Sequence, residues 1–138
     1  MEPMVLMMME KDGETGLLSR EIGSYTITEH GNLVSGIYLM HKDQRDMVYL
    51  RLTTDRDVED WEYGAIFDYY DMDAMKEMVL SIEELDDYNP VWEVSFTWMD
   101  SQEGMENLLA KILERHRKLL DAVYDAIQDK KAEYEDHG

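Results

Sequence analysis

The alternation of apolar and polar positions predicts a sheet in the first third of the chain. Residues 4–9 form a continuous apolar run, which is typical of a strand buried on both faces. A turn with two glycines over residues 11–16 leads into a second extended segment, residues 17–28. Residues 33–41 and 47–53 have period-two patterns as well. Four strands at this spacing predict an antiparallel meander.

After residue 54 the apolar positions recur in steps of three and four, which indicates helices over residues 55–85. The first begins near Thr54 or Asp55. The second covers residues 74–85, although its part 78–82 also suits an extended segment. Residues 91–99 then alternate strictly and predict a fifth strand. Its apolar face carries Trp92, Val94, Phe96 and Trp98.

A long amphipathic helix is predicted over residues 101–135, with Asp100 and Glu103 as a capping box. At 1.5 Å per residue it would measure about 50 Å, which exceeds the roughly 35–40 Å expected for a domain of this size. We therefore expect self-association through this helix. The predicted fold is a single α+β domain, residues 1–138, with an antiparallel sheet of about five strands (4–53 and 91–99) packed against helices.

Charge changes this picture because it is concentrated in one part of the chain. The 138 residues include 32 acidic and 13 basic side chains, for a net charge of −19. Residues 55–106, the acidic segment, contain 17 acidic and two basic residues, a net charge of −15. Negative charge repels nucleic-acid phosphate and anionic lipid, so direct binding to either is not expected. A basic protein partner remains possible, and so does a purely solubilising role.

No pattern in the sequence supports an enzyme, a metal or a cofactor. The acidic segment does not match the spacing of a calcium-binding loop, and no histidine has zinc-site spacing. Neither a nucleophile elbow nor a phosphate-binding loop is present. Cysteine is absent, and the apolar run near the N-terminus is too short for a signal peptide or a membrane span. We predict a cytoplasmic protein.

Aromatic residues crowd the acidic segment and suggest a contact surface. We predict that this surface binds a protein partner through the residues Trp61, Tyr63, Tyr70, Asp68, Asp71 and Asp73. The alternative is that the aromatic and methionine side chains only fill the core. His116 lies in the middle of the apolar stripe of the long helix. It is predicted either to select the helix packing and sense pH, or to be an ordinary core histidine with one hydrogen bond.

Two short stretches resemble a known family. Residues 56–63, Arg-Asp-Val-Glu-Asp-Trp-Glu-Tyr, are followed at residues 88–92 by Tyr-Asn-Pro-Val-Trp. Together with the strand-rich first half, they look like a family of small, acidic, uncharacterised proteins of anaerobic Gram-positive bacteria, a domain of unknown function. The resemblance covers most of residues 4–110. It implies a bacterial cytosolic protein and supplies neither an activity nor a catalytic residue.

Three functional hypotheses follow from these patterns. The first is a non-enzymatic interaction or regulatory module that self-associates through the C-terminal helix. The second is a small-ligand-binding protein or small enzyme with a pocket between sheet and helices. The third is an inhibitor that mimics nucleic acid and occupies the basic groove of another protein.

Overall fold

The computed structural model describes residues 3–135 and contains one six-stranded sheet with helices on one of its faces. The strands are β1 (Met4–Lys11), β2 (Leu18–Ile27), β3 (Val34–Lys42), β4 (Arg45–Thr53), β5 (Ser81–Leu85) and β6 (Val91–Thr97). The helices are α1 (Asp60–Tyr69), α2 (Met72–Lys76), α3 (Gln102–Ile127) and α4 (Lys131–Glu135), with a 3₁₀ turn at Gly31–Leu33.

The α+β class is confirmed, but the sheet is mixed rather than an antiparallel meander. Its strand order is β2-β1-β3-β4-β6-β5. The first strand, β1, lies between β2 and β3 and runs parallel to β3, with Met9 opposite Tyr38. All other neighbouring strands are antiparallel. The predicted β1–β2 and β3–β4 hairpins are confirmed, but the predicted β2–β3 pairing is wrong, because β1 lies between these two strands. The long-range pairing of β1 with β3 carries no local signal.

The N-terminal strand is buried on one face only, which contradicts the prediction from its continuous apolar run. Leu6 and Met8 are buried, whereas Val5 and Met7 are 64% and 57% exposed. The reason is that the helices cover only the face that carries Leu6 and Met8. Alternation along a strand then leaves Val5 and Met7 on the uncovered face.

The core lies between that covered face and α3. Strands β4 and β6 contribute Val48, Leu50, Leu52, Trp92, Val94 and Phe96, and α3 contributes Met105, Leu109, Ile112, Leu113, Leu120, Val123 and Ile127. The apolar face of residues 91–99 thus lies in the main core, as the alternation indicated. The apolar stripe of α3 is likewise buried within the chain.

The helices differ from the sequence prediction at their ends. The first begins at Asp60 rather than near residue 55, because Glu59 and Glu62 form a reciprocal capping box there. The second half of the predicted 74–85 helix is instead β5, which pairs with β6.

The C-terminal helix also differs from its prediction. Ser101, not Asp100, caps α3 by accepting a hydrogen bond from Gly104 N. The 26 residues of α3 span about 39 Å, so this helix is no longer than a domain of this size.

Candidate functional site

The start of α1 is fixed by an ion pair within the acidic segment. Arg56 donates two hydrogen bonds to the Glu62 carboxylate, at 3.1 and 2.9 Å. Its guanidinium also lies 4.6 Å from the centre of the Tyr124 ring on α3. This bidentate hydrogen bonding lowers the pKa of Glu62 below its ordinary value, although burial opposes the shift. Arg56, one of the two cations of the acidic segment, therefore contacts both α1 and α3.

A groove of about 480 Å³ opens beside this anchored helix start. Glu59, Asp60, Trp61, Tyr134 and Glu135 line it, and together we call them the acidic-aromatic groove. The indole N–H of Trp61 donates to the Glu59 carboxylate at 2.7 Å. Glu135 is ion-paired with Lys131 one helical turn earlier, at 3.7 Å. The groove thus combines two aromatic rings with three carboxylates, one of which already has a cationic neighbour.

Tyr134 joins the groove because α4 folds back against α1. Its hydroxyl donates to Asp68 at 2.6 Å, and this hydrogen bond raises the pKa of Tyr134 to about 12. The ring of Tyr134 packs beside Gly64 of α1, where an added Cβ would make an ordinary van der Waals contact at 3.9 Å with Cε1. The sequence reasoning missed Tyr134, because it placed this residue at the solvated end of one long helix.

Of the predicted partner-binding aromatics, only Trp61 lies in the groove. The Tyr63 hydroxyl is used within the fold, where it donates to the carbonyl of Asp87 and accepts from the backbone N–H of Asp87. Tyr70 is buried, with 5% of its surface exposed, and stacks on Trp92 at 4.3 Å between ring centres. Its burial removes it from any surface that the described residues present.

The three predicted aspartates have three different roles. Asp68 accepts the hydrogen bond from Tyr134 at the back of the acidic-aromatic groove. Asp71 caps α2 by accepting from Ala74 N at 3.1 Å. Asp73 is exposed and lies 3.8 Å from Lys76. The structure therefore brings Trp61 and Asp68 to one region and does not gather the others around it.

His116 is completely buried and links three elements. Its Nε2 lies 2.8 Å from the carbonyl oxygen of Thr53, at the end of β4, and its Nδ1 lies 2.9 Å from the Tyr70 hydroxyl. A carbonyl oxygen can only accept, so Nε2 carries the proton and Nδ1 accepts from Tyr70. Burial lowers the pKa of His116 to about 4, although the hydrogen bond to Thr53 opposes the shift. The histidine is therefore a neutral packing residue with two hydrogen bonds.

No group of three or more His, Asp or Glu side chains within the described residues 3–135 is placed to hold a metal ion. Among the helices of the same range, none combines the length and the apolar character that a membrane crossing requires.

Comparison with protein families gives one match, to the model described as Family of unknown function (DUF6762), over residues 1–135. The chain belongs to this family. The match confirms the predicted resemblance to a domain of unknown function and extends it from residues 4–110 to residues 1–135 of the chain. Searches of curated proteins and of solved structures returned no match. Membership of DUF6762 implies no activity, so the function must be inferred from the groove and the surfaces of the fold.

Proposed function

We propose that this DUF6762 protein is a non-enzymatic interaction module that binds a basic segment of a partner protein in the acidic-aromatic groove. The observation that carries the proposal is the convergence of Trp61 and Tyr134 with the carboxylates of Glu59 and Asp60 around one groove. Aromatic faces attract lysine and arginine side chains, at about 0.5–1 kcal/mol for an exposed pair. Neighbouring carboxylates add charge complementarity and speed the encounter.

The acidic segment supports this proposal by setting the sign of the field around the groove. Its net charge of −15 already counts Arg56 and Lys76. Cations from outside the segment neutralise only part of it, through the ion pairs Arg51–Glu93, Arg115–Glu77 and Arg117–Asp55. Such a field attracts cationic segments and repels anionic ones, and the effect weakens at high salt. The groove would then select where a basic chain, once attracted, is held.

A fluorescence titration with a synthetic peptide of alternating lysine and arginine tests the proposal. Binding should change the emission of Trp61, because this residue lines the groove. Trp92 is fully buried, and Trp98 lies outside the groove, where its indole N–H donates to Tyr25. Asp60→Asn should weaken binding about two- to fivefold, as expected for one surface ion pair. Trp61→Leu should weaken it at least threefold, measured by calorimetry because the fluorescent probe is lost.

Asp73→Asn is the matched control, because it removes the same charge from the acidic segment at a site outside the groove. If Asp73→Asn and Asp60→Asn weaken binding equally, the peptide responds to diffuse charge and the groove proposal fails. If this protein instead displaces nucleic acid from the basic groove of a DNA-binding protein, the result would favour the hypothesis of nucleic-acid mimicry.

A further inference from the structure

The sheet has a second face, opposite the helices, and none of the elements described within residues 3–135 covers it. Its side chains come from alternate positions of every strand. We call this surface the open face; its large side chains are Val5, Met7, Tyr38, Met40, Met47 and Tyr49, with Leu80 beside them just before the edge strand β5. Val5, Met7 and Leu80 are 64%, 57% and 63% exposed. Large exposed side chains gathered on one face mark an association surface more often than a solvated one.

The centre of the open face is rigid as well as apolar. Tyr38 and Tyr49 stack across β3 and β4 with ring centres 5.2 Å apart. Glu93 accepts hydrogen bonds from both Tyr38 and Arg51, at 2.9 Å each. Because this acid and this base neutralise each other, the centre of the face has little net charge. A pre-organised, nearly neutral surface loses little side-chain entropy when a second surface packs on it.

Two parts of the open face carry charge of opposite sign. The β3–β4 hairpin end carries Lys42 and Arg45, both exposed, with Asp43 between them in the turn. Along the edge strand β5 lies Glu83, opposite Glu93, and the turn after β5 carries Asp86 and Asp87, all three exposed. The face is therefore basic at the hairpin end of β3 and β4 and acidic along β5.

We propose that the open face binds a second copy of this chain, with the two-fold axis running obliquely across the strands. An axis strictly perpendicular to the strands would lay β5 over β5, whereas a tilted axis lays the hairpin end of β3 and β4 of one copy over β5 of the other, so that opposite charges meet at both places. An axis parallel to the strands would lay Lys42 and Arg45 over their own copies, which is unfavourable. This self-complementarity makes a second copy a better occupant than an unrelated protein.

The size of the open face is sufficient for such a dimer. Six strands about 4.8 Å apart and roughly seven residues long give a projected area on the order of 700 Å². A stable interface needs about 800 Å² of accessible surface from each partner, and side chains make the accessible area larger than the projected one. Two sheets packed face to face would form a sandwich with a second apolar layer. Self-association would then use the sheet, whereas the apolar stripe of α3 is already buried in the core.

Size-exclusion chromatography with light scattering, over about 1–500 µM protein, tests this proposal. The expected mass is twice the 16.3 kDa of the chain at the upper concentrations. Met7→Glu and Val5→Glu should raise the dimer dissociation constant at least tenfold, because each places a carboxylate on the apolar part of the open face. Tyr69→Glu is the matched control, since Tyr69 is an exposed aromatic on the helix side and should leave the dimer unchanged. Circular dichroism verifies that each variant is folded.

Charge reversal tests the direction of the axis. Arg45→Glu and Glu83→Lys should each weaken the dimer, and the double variant should recover at least part of the lost affinity. A monomer at every concentration would overturn the proposal and leave the face to a different partner. It would also be overturned by a dimer that tolerates Met7→Glu. If the two charge reversals weaken the dimer additively, the proposed axis is wrong. None of these variants lies in the acidic-aromatic groove, so peptide binding tests the proposed function separately.

Discussion

Replacing His116 by glutamine should remove a specific pH dependence from the stability of the protein. In the folded chain burial lowers the pKa of His116 to about 4, whereas in the unfolded chain it should be near the ordinary 6.5. Between these values only the unfolded state takes up the proton. The histidine therefore destabilises the fold progressively as pH falls from about 6.5 to about 4, and has no such effect above that window.

The size of the effect follows from the two pKa values. At pH 7.5 both states are almost entirely neutral, so protonation shifts the folding equilibrium by less than about 0.1 kcal/mol. At pH 5.0 protonation of His116 in the unfolded state lowers the free energy of unfolding by about 2 kcal/mol relative to its value at pH 7.5. Arg117 and Asp55, which form an ion pair at 2.9 Å, shift the pKa of His116 in opposite directions, so their effects on it oppose each other.

Urea unfolding of the wild type and of His116→Gln at pH 7.5 and pH 5.0 measures this effect. The glutamine variant should be less stable at pH 7.5, because the hydrogen bonds to Tyr70 and Thr53 are disturbed. Its deficit should shrink by about 2 kcal/mol at pH 5.0, because carboxylate titration is common to both proteins and cancels. A deficit that is the same at both pH values would refute the assignment of His116 as a buried neutral histidine.

Three other substitutions test separate parts of the fold by urea unfolding. Glu62→Gln should lower the free energy of unfolding by about 1–2 kcal/mol at pH 7, because it removes the charge paired with Arg56 and disturbs the capping box. The pKa of Glu62 is lowered in the fold, so the stabilisation by its carboxylate fades as pH falls. A loss of equal size at pH 3 would contradict this role. Gln44→Gly should stabilise by about 0.5–1 kcal/mol, because Gln44 has φ of 64° in the β3–β4 turn, and destabilisation would show that its side chain contributes more than its strain. Leu50→Ala should cost about 2–5 kcal/mol, since Leu50 is fully buried under α3; a loss below 1 kcal/mol would place it outside the core.

The sequence predicted those parts of the fold that depend on local pattern. The strands of residues 34–53 and 91–97 and the stripe of α3 came from periodicity, which reflects burial against one neighbour. The parallel pairing of β1 with β3 did not, because nothing between residues 4 and 42 encodes which strand edge β1 occupies. Likewise β5 resembled the end of a helix, since its apolar spacing over five residues fits either period.

The candidate site was only partly predictable for a related reason. Trp61 was identified from aromatic crowding beside acids, but the same crowding also included Tyr70, whose hydroxyl has a buried partner on α3. The groove depends on Tyr134, which is 73 residues further along the chain and reaches Trp61 only because the C-terminal helix breaks after Ile127. No local signal at either position announces that contact.

The strand order has a consequence for the order in which the sheet can close during synthesis. Strand β4 pairs with β6, so Leu50 has no partner on that side until Val94 has been made. Until then β4 presents an unpaired, apolar edge of the kind that promotes aggregation. Most of the acidic segment lies in the connection between these two strands, where like charges repel neighbouring chains.

The acidic residues of this connection would thus limit aggregation while the sheet is incomplete, whether or not the folded protein binds a partner. Neutralising exposed acids there, for example Asp57→Asn with Asp86→Asn, should hardly change the midpoint of thermal unfolding. It should lower the yield of refolding at high protein concentration. An unchanged yield would show that the charge of the acidic segment has no role during folding and acts only at the surface of the folded protein.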